Sequence, residues 1–595
     1  MPVDLPISVE GPFVGVDLRR ESRELSPKEA RDALNVNLDG DTLGSTRGYD
    51  SGSIAPNLAP IESFHDFRRI DGTYVQLAKA GNQLYRIDDG VFAAIGGAIL
   101  SAGNLAQYLT LGDRVYLVHG GVPKVTDGTD LFDWLIDRPD FAPDLAASGA
   151  EGSGKLNGEY DYKYTFYSST WGQESPSSPS TNEADTLAGL EKTTTVSPAN
   201  QWVELTNFDT TSDTRVDTYR IYRRKFSNFE SDWRLIDEVP SSTTTYTDRV
   251  PDNNVSLVSI APLTFDAEFP HARFIAYNAG TIFVSGVDAE PTAIYFTPVN
   301  KTVLGQFEVV DDVVTGLISF QGQLIVFTRR SIWIFSGNTA ATLFKRKAIA
   351  DRGCLAPFSI QPVDNVIFFL SENGFYTYDL ARTVEVSRPV KPALLERNFL
   401  RDYSMIAVHD WKNSAVWWIY SGPGSDVNDK ILVHFYRNSA VVDQPSWVPW
   451  EITGLESAGL ITNSGTELRE IKLGFNDGRV STYEGGDDFN GDPIPWRWES
   501  GKQDARAPHL MKRWDLMTID TVRQEIAGEM QVEVSRDGTD VFETAGKPHS
   551  LDDEMWSARL QRRAAQLRTR MSAQLHGPIE VVKWRYEIQS GAARR

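Results

Sequence analysis

Short apolar runs separated by Gly, Asp and Asn turns recur along this chain, while helical periodicity is scarce after the opening segment. The repeated unit is a strand, a polar turn and a second strand, as in "GNQLYRIDDGVFAAI" from Gly81, "GQLIVFTRRSIWIFSGN" from Gly322 and "NVIFFLSENGFYTYDL" from Asn365. That pattern predicts antiparallel β architecture. Later units start at Ile282, Leu324, Val366, Val416 and Ile471, spaced by 42, 42, 50 and 55 residues. A four-stranded propeller blade takes roughly 40 to 50 residues, so a β-propeller of about five to seven blades is expected. A β-sandwich built from the same strands is the structural alternative.

The rhythm breaks between Val115 and Ile282. In "GEYDYKYTFYSSTWGQESPSSPS", Tyr160, Tyr162, Tyr164 and Phe166 alternate on one strand face before a Ser/Pro loop, and further short strands follow. About a hundred residues of this kind predict an inserted immunoglobulin- or fibronectin-like sandwich projecting as a separate module. After the last blade, "GGDDFNGDPIPWRWESG" marks a boundary to a small C-terminal β domain, in which Trp556, Leu560, Ala564 and Leu567 also fit one face of a helix over 555–567. The opening "LSPKEARDALNVNLDGDTLGSTRGYDSG" predicts a helix, a turn and a strand: Ser26 as cap, Pro27 in the first turn, Glu29 completing a capping box. The expected fold is all-β. Its expected division is an N-terminal docking segment (1–60), first blades (61–152), inserted β-sandwich (153–252), remaining blades (253–486) and C-terminal β region (487–595).

Composition narrows the function classes. The 595 residues carry 81 acidic against 59 basic side chains, a net charge of −22, which argues against wrapping around phosphate. A single cysteine, Cys354, excludes an intrachain disulfide and a cysteine-built zinc site. No apolar run has the length of a membrane helix, and Met1-Pro2-Val3-Asp4 does not begin like a secretory signal, so assembly in a cytoplasm is expected. The balance reverses toward the C-terminus, where Arg559, Arg562, Arg563, Arg568, Arg570, Arg594 and Arg595 form a candidate basic interface, to an acidic partner or to the chain's own acidic body.

Motifs for chemistry are weak. "GAEGSGKL" matches the glycines and lysine of a phosphate loop, but Leu156 stands where magnesium needs Ser or Thr and an aromatic strand follows instead of a helix. "SRDGTDVF" from Ser535 reads as a hairpin turn, and "DDFNGD" from Asp487 lacks EF-hand spacing. The eight histidines form no HExxH pair, and no GxSxG elbow is present. No enzyme activity, metal or cofactor is therefore expected. Carboxylate pairs that meet only in space leave no such spacing.

Five stretches in order, "LSPKEARDALNVNLDGDTLGSTRGY", "FHDFRRIDGTYVQLAKAGNQLYRIDDG", "LISFQGQLIVFTRRSIWIFSGN", "RGCLAPFSIQPVDNVIFFLSENGFYTYDL" and "WRYEIQSGAARR", resemble the tail nozzle proteins of short-tailed bacteriophages, also called tail tubular protein B or stabilisation proteins. The resemblance covers most of the chain outside the inserted sandwich, and the order of the stretches carries it. It implies a structural virion protein: a homohexameric ring below the portal and adaptor rings, with a channel through which DNA leaves without sequence-specific binding, surfaces for tail fibres or spikes, and no membrane insertion. Under this resemblance Ser26, Pro27, Glu29, Asn35, Arg47 and Tyr49 form a candidate docking segment toward neighbouring subunits or the adaptor. Two other readings stand beside it: a carbohydrate-binding or carbohydrate-cleaving propeller, which would need Trp417, Trp418 or Trp447 as platforms although these read first as blade core or interface, and a minor tail or hub protein of another tailed phage.

Overall fold

A computed structural model describes the chain except for residues 1–4, 22–23, 89, 98–99, 180–197, 226–232, 256–269, 299–305, 338–341, 523–527, 538 and 591–595. Seven sheets built on antiparallel strands among the described residues form the blades of a β-propeller. The first comprises Ile61–Arg68, Tyr74–Ala80, Gln83–Asp88 and Val91–Ala94. The second spans residues 107–133, with Gly96–Gly97 added in parallel at its outer edge. The third to sixth span residues 274–309, 314–349, 361–385 and 406–450.

The seventh blade explains how the ring closes. Its three strands within 455–482 take their fourth from the other end of the chain, Ser53–Ile54 pairing with Arg479 and Val480. Its innermost strand, Leu455–Thr462, meets that of the first blade: Ser457 donates to the carbonyl of Ile61, and Asp66 accepts from the Thr462 amide at 3.1 Å. Closure by one composite blade leaves the propeller without an open inner seam.

Between the second and third blades lies the inserted sandwich. One sheet holds Asp144–Ser148, Leu156–Asn157, Ala199–Thr206 and Thr245–Asp248; the other holds Tyr160–Ser168, Gln173–Glu174, Thr218–Lys225 and Arg234–Pro240. Tyr160, Tyr162, Tyr164 and Phe166 point together into its core against Val203, Leu205, Tyr219 and Ile221, as the two-residue alternation requires. The sandwich is docked on the propeller and does not merely project from it. Arg114 of the second blade donates to the carbonyls of Thr170 and Trp171, Gln173 donates to the carbonyl of Trp134, and the Arg215 guanidinium lies 4.7 Å from the ring centre of Phe132.

The C-terminal region is a second sandwich, and the N-terminal strands between Leu5 and Ser45 belong to it. Leu5–Glu10 pairs with Glu580–Ser590, Glu29–Leu34 pairs with Ile494–Ser500, and the hairpin Val36–Asp39/Thr42–Ser45 joins the sheet of Glu580–Ser590. Trp496, Trp498, Trp514, Trp584 and Met571 are buried between the two sheets, with Phe13 stacked on Trp584 at 5.5 Å. This corrects two expectations. The predicted opening helix is a tight turn at Pro27-Lys28 followed by the strand Glu29–Leu34, because a long-range partner strand outcompetes the good local helix formers of "EARDAL". The helix considered over 555–567 is instead the strand Met555–Ala564. Trp556, Leu560 and Ala564 are an even number of residues apart, and even spacing also fits one face of a strand.

Among the described residues no helix is long and apolar enough to cross a membrane.

Candidate functional site

The residues singled out near the N-terminus fall into two places. Asn35, Arg47 and Tyr49 stitch the C-terminal sandwich to the propeller. Asn35, held at φ 53°, sends its side-chain amide to the carbonyl of Pro495 at 2.9 Å and accepts from the Glu451 amide at 2.7 Å, while its own amide donates to Pro449. It therefore clamps the end of the sixth blade to a sandwich strand. Asparagine tolerates this left-handed backbone better than most residues do. Tyr49 is buried, stacked on Phe489 at 5.3 Å and tilted against Phe475 of the seventh blade at 5.2 Å. The Arg47 side chain is exposed, and its amide donates to the hydroxyl of buried Tyr483 at 3.2 Å.

Ser26, Pro27 and Glu29 line a groove of about 1010 Å³. Glu29 accepts from the Ser26 amide at 2.7 Å, so half of a capping box forms although no helix follows, and Glu29 also pairs with Arg20. The opposite wall is the loop 502–511, where Ala505 and Arg506 both adopt positive φ and Leu510 and Met511 are exposed. The Lys512 ammonium fixes that loop by donating to the carbonyls of Ala507, Leu510 and Ala565, and burial pulls its pKa below the usual lysine range. Ile7 and Ile588 also line the groove.

The basic cluster is divided. Arg568 is buried and reaches Glu499 and Asp540, each at 2.9 Å; Arg570 shares Glu499 at 2.8 Å and lies 3.7 Å over Phe542; Arg562 meets Glu543 at 3.0 Å. These three face the chain's own carboxylates. Arg559 and Arg563 are exposed on Met555–Ala564, and Arg594 and Arg595 lie outside the described residues.

The motifs weighed for chemistry resolve into structure. In "GAEGSGKL" the Gly154 amide donates to Asn200 at 2.6 Å, and a side chain at Gly154 would strike the backbone of Gln201, so this glycine serves strand contact. In "DDFNGD" Asp488 accepts from the Gly491 amide at 2.7 Å and from His576 at 3.0 Å, which holds its carboxyl below the ordinary range. Among the described residues no group of His, Cys, Asp or Glu is placed to hold a metal ion. Trp417, Trp418 and Trp447 are wholly buried blade core, as expected of them, and are not aromatic platforms. Trp418 packs on Phe375 at 4.3 Å and Trp417 on Trp450 at 4.9 Å.

Sequence reasoning missed a polar seam beneath the loop at 101–103. Lys79, fully buried, pairs with Glu62, which also accepts from the Gly103 amide at 2.7 Å. His119 accepts there from the Ser101 amide at 3.1 Å, and burial together with Lys79 pushes its pKa down to about 4. The only sequence signal was the interruption of apolar strands by single charged residues.

The sheet topology defines the chain as a β-propeller protein with two associated β-sandwiches. No protein-family model and no curated protein matches its sequence. Similar solved structures include apo AztD from Citrobacter koseri, at 12% identity over 69% of this chain and 96% of that chain with a TM-score of 0.28. YCF48 bound to D1 peptide is similar at 10% identity over 74% and 97%, TM-score 0.25. Hsv2p of Kluyveromyces lactis is similar at 8% identity over 66% and 96%, TM-score 0.21.

Proposed function

We propose that this chain is a structural subunit of a bacteriophage tail, the nozzle ring below the portal and adaptor through which DNA leaves the particle. The observation that carries the reading is the ordered resemblance of its N-terminal, blade and C-terminal stretches to nozzle proteins. It gains support from the way three of those stretches, at the N-terminus, in the fifth blade and at the C-terminus, share one buried cluster. A continuous buried cluster runs from Phe375, Trp417 and Trp447 in the blades to Trp498, Trp514 and Trp584 in the sandwich. A wall element that must hold its shape while DNA passes calls for such rigidity. A net charge of −22 suits a channel that repels phosphate. The subunit acts as a homohexamer, contacts head-tail adaptor proteins above, offers its outer surface to fibres or spikes, and has no catalytic role.

The carbohydrate-directed reading loses its proposed platforms, since all three tryptophans are buried. The test is sedimentation and negative-stain imaging of the purified chain, alone and with portal and adaptor. A ring that seats on the adaptor is expected. A monomer that releases reducing sugar from host glycan would overturn the reading, and a basic lumen in the assembled ring would overturn the repulsive channel.

A further inference from the structure

The crossover from the fifth blade to the sixth carries large apolar side chains on the outside. Leu395 is 58% exposed, Phe399 53%, Leu400 87% and Tyr403 51%, all within 395–403. Together they offer an apolar surface on the order of 500 Å², the size at which surface patches mark interaction sites and a large part of the roughly 800 Å² that one partner buries in a standard interface. The segment is held firmly. Arg397 is buried and grips Asp402 with two hydrogen bonds of 2.7 and 2.9 Å, and Asn398 caps the Leu400 amide at 3.2 Å while donating to Ser425 at 2.8 Å. Arg401 reaches Glu456 of the seventh blade at 3.5 Å. So much internal fastening keeps the apolar side chains on display and limits the ordering cost of a contact.

Charge indicates what covers it. Arg388 and Lys391 stand beside the patch with side chains 68% and 38% exposed, two cations sharing the single carboxylate of Glu385. On a chain of net charge −22, copies repel one another except where such a basic rim meets acidic surface. The same chain offers that surface where the second blade passes into the inserted sandwich. Asp133, Asp137, Asp140 and Asp213 gather there; Lys124 pairs with Asp133 and Arg215 with Asp213, which leaves Asp137 and Asp140, both exposed, to face a partner. Partial burial together with Asp133 and Asp213 raises the pKa of Asp137. Both places lie on connections from an outermost strand to the next innermost strand, and therefore on one face of the propeller, three blades apart out of seven. Distinct donor and acceptor surfaces on well-separated blades suit a head-to-tail contact that closes into a ring.

We propose that the 395–403 crossover is the donor surface of a head-to-tail contact with a second copy of this chain, received by the acidic junction of its second blade and inserted sandwich. The closed ring rests on the function proposed above; the contact itself does not. The test compares the full-length chain with Leu400→Glu by sedimentation velocity. Leu400 is almost fully exposed, so an unchanged melting temperature will certify the fold. A second variant, Leu400→Cys carrying a thiol-linked photo-crosslinker, maps the neighbour, because Cys354 is buried. The expected result is an oligomer that Leu400→Glu shifts at least tenfold toward monomer, with intermolecular crosslinks into 133–140 or 209–213. A ring that persists in Leu400→Glu, or crosslinks elsewhere on the second copy, overturns the contact and leaves the ring reading standing. A discrete dimer abolished by Leu400→Glu, with those crosslinks, supports the contact and overturns the ring. A monomeric unsubstituted chain without intermolecular crosslinks overturns both.

Discussion

The indole nitrogen of Trp450, on the outermost strand of the sixth blade, donates to the carbonyl of Val36 at 2.8 Å inside a fully buried seam. Asn35, next to Val36, bonds both Glu451 and Pro495, so propeller and C-terminal sandwich share polar as well as apolar contacts. They are expected to melt together. Asn35→Ala leaves the Glu451 amide and the Pro495 carbonyl without these partners and should cost about 2 to 3 kcal/mol. Scanning calorimetry on the substituted and unsubstituted chains checks both points, and separate transitions for propeller and sandwich would refute the shared seam.

Lys79 and Glu62 give a second prediction. Glu62→Gln removes the charge facing a fully buried ammonium and should destabilise the chain by about 3 to 5 kcal/mol in urea unfolding. Removing both charges together, as Lys79→Met with Glu62→Leu, should recover much of that loss. If the double variant is as unstable as Glu62→Gln alone, the pair is not what sets the cost.

The Cys354 thiol is buried, donates to the Ala356 carbonyl at 3.1 Å and has its pKa pushed up to about 12 by burial. Thiolate is the reactive form, so maleimide at neutral pH should leave the native chain unlabelled for hours and label it fully in denaturant. Rapid native labelling would show that the packing between the fourth and fifth blades opens locally.

What the sequence disclosed, and what it hid, follows from the range of each interaction. The 42-residue spacing of Ile282, Leu324 and Val366 was legible because each blade is a local unit whose strands pair with their neighbours in sequence. All three sit on or beside the second strand of their sheets, one position later than a reading of them as first strands implies. Tyr160 to Phe166 was legible because the two-residue period acts within one strand. Glu29–Leu34 was not legible: its partner, Ile494–Ser500, lies more than 450 residues away, and no local pattern carries that pairing. The two-residue strand Ser53–Ile54 that completes the seventh blade left no hydrophobic run to find. Of the candidate docking residues, Asn35 and Tyr49 were named through the resemblance alone, and their inward orientation depends on surfaces that only the folded chain brings together.

His434 supplies the pH dependence. It is 2% exposed, stacked on Trp447 at 4.6 Å and bonded through Nδ1 to the Ser446 carbonyl at 3.1 Å, and burial pushes its pKa down to about 4. The folded chain therefore keeps a neutral imidazole where the unfolded chain, with a pKa near 6.5, takes up a proton. The unfolded state binds more protons between these values, so stability is fully present above about pH 6.5 and lost as pH falls toward 4. The loss from this one group approaches about 1.4 kcal/mol per pH unit within the window and about 3 kcal/mol across it. His119 acts in the same direction. His434→Gln retains a neutral donor for Ser446 but cannot titrate. Unfolding free energies measured from pH 6.5 to 5, above the range where carboxylates protonate, should fall less steeply for the variant; parallel curves would mean that His434 does not set the acid sensitivity.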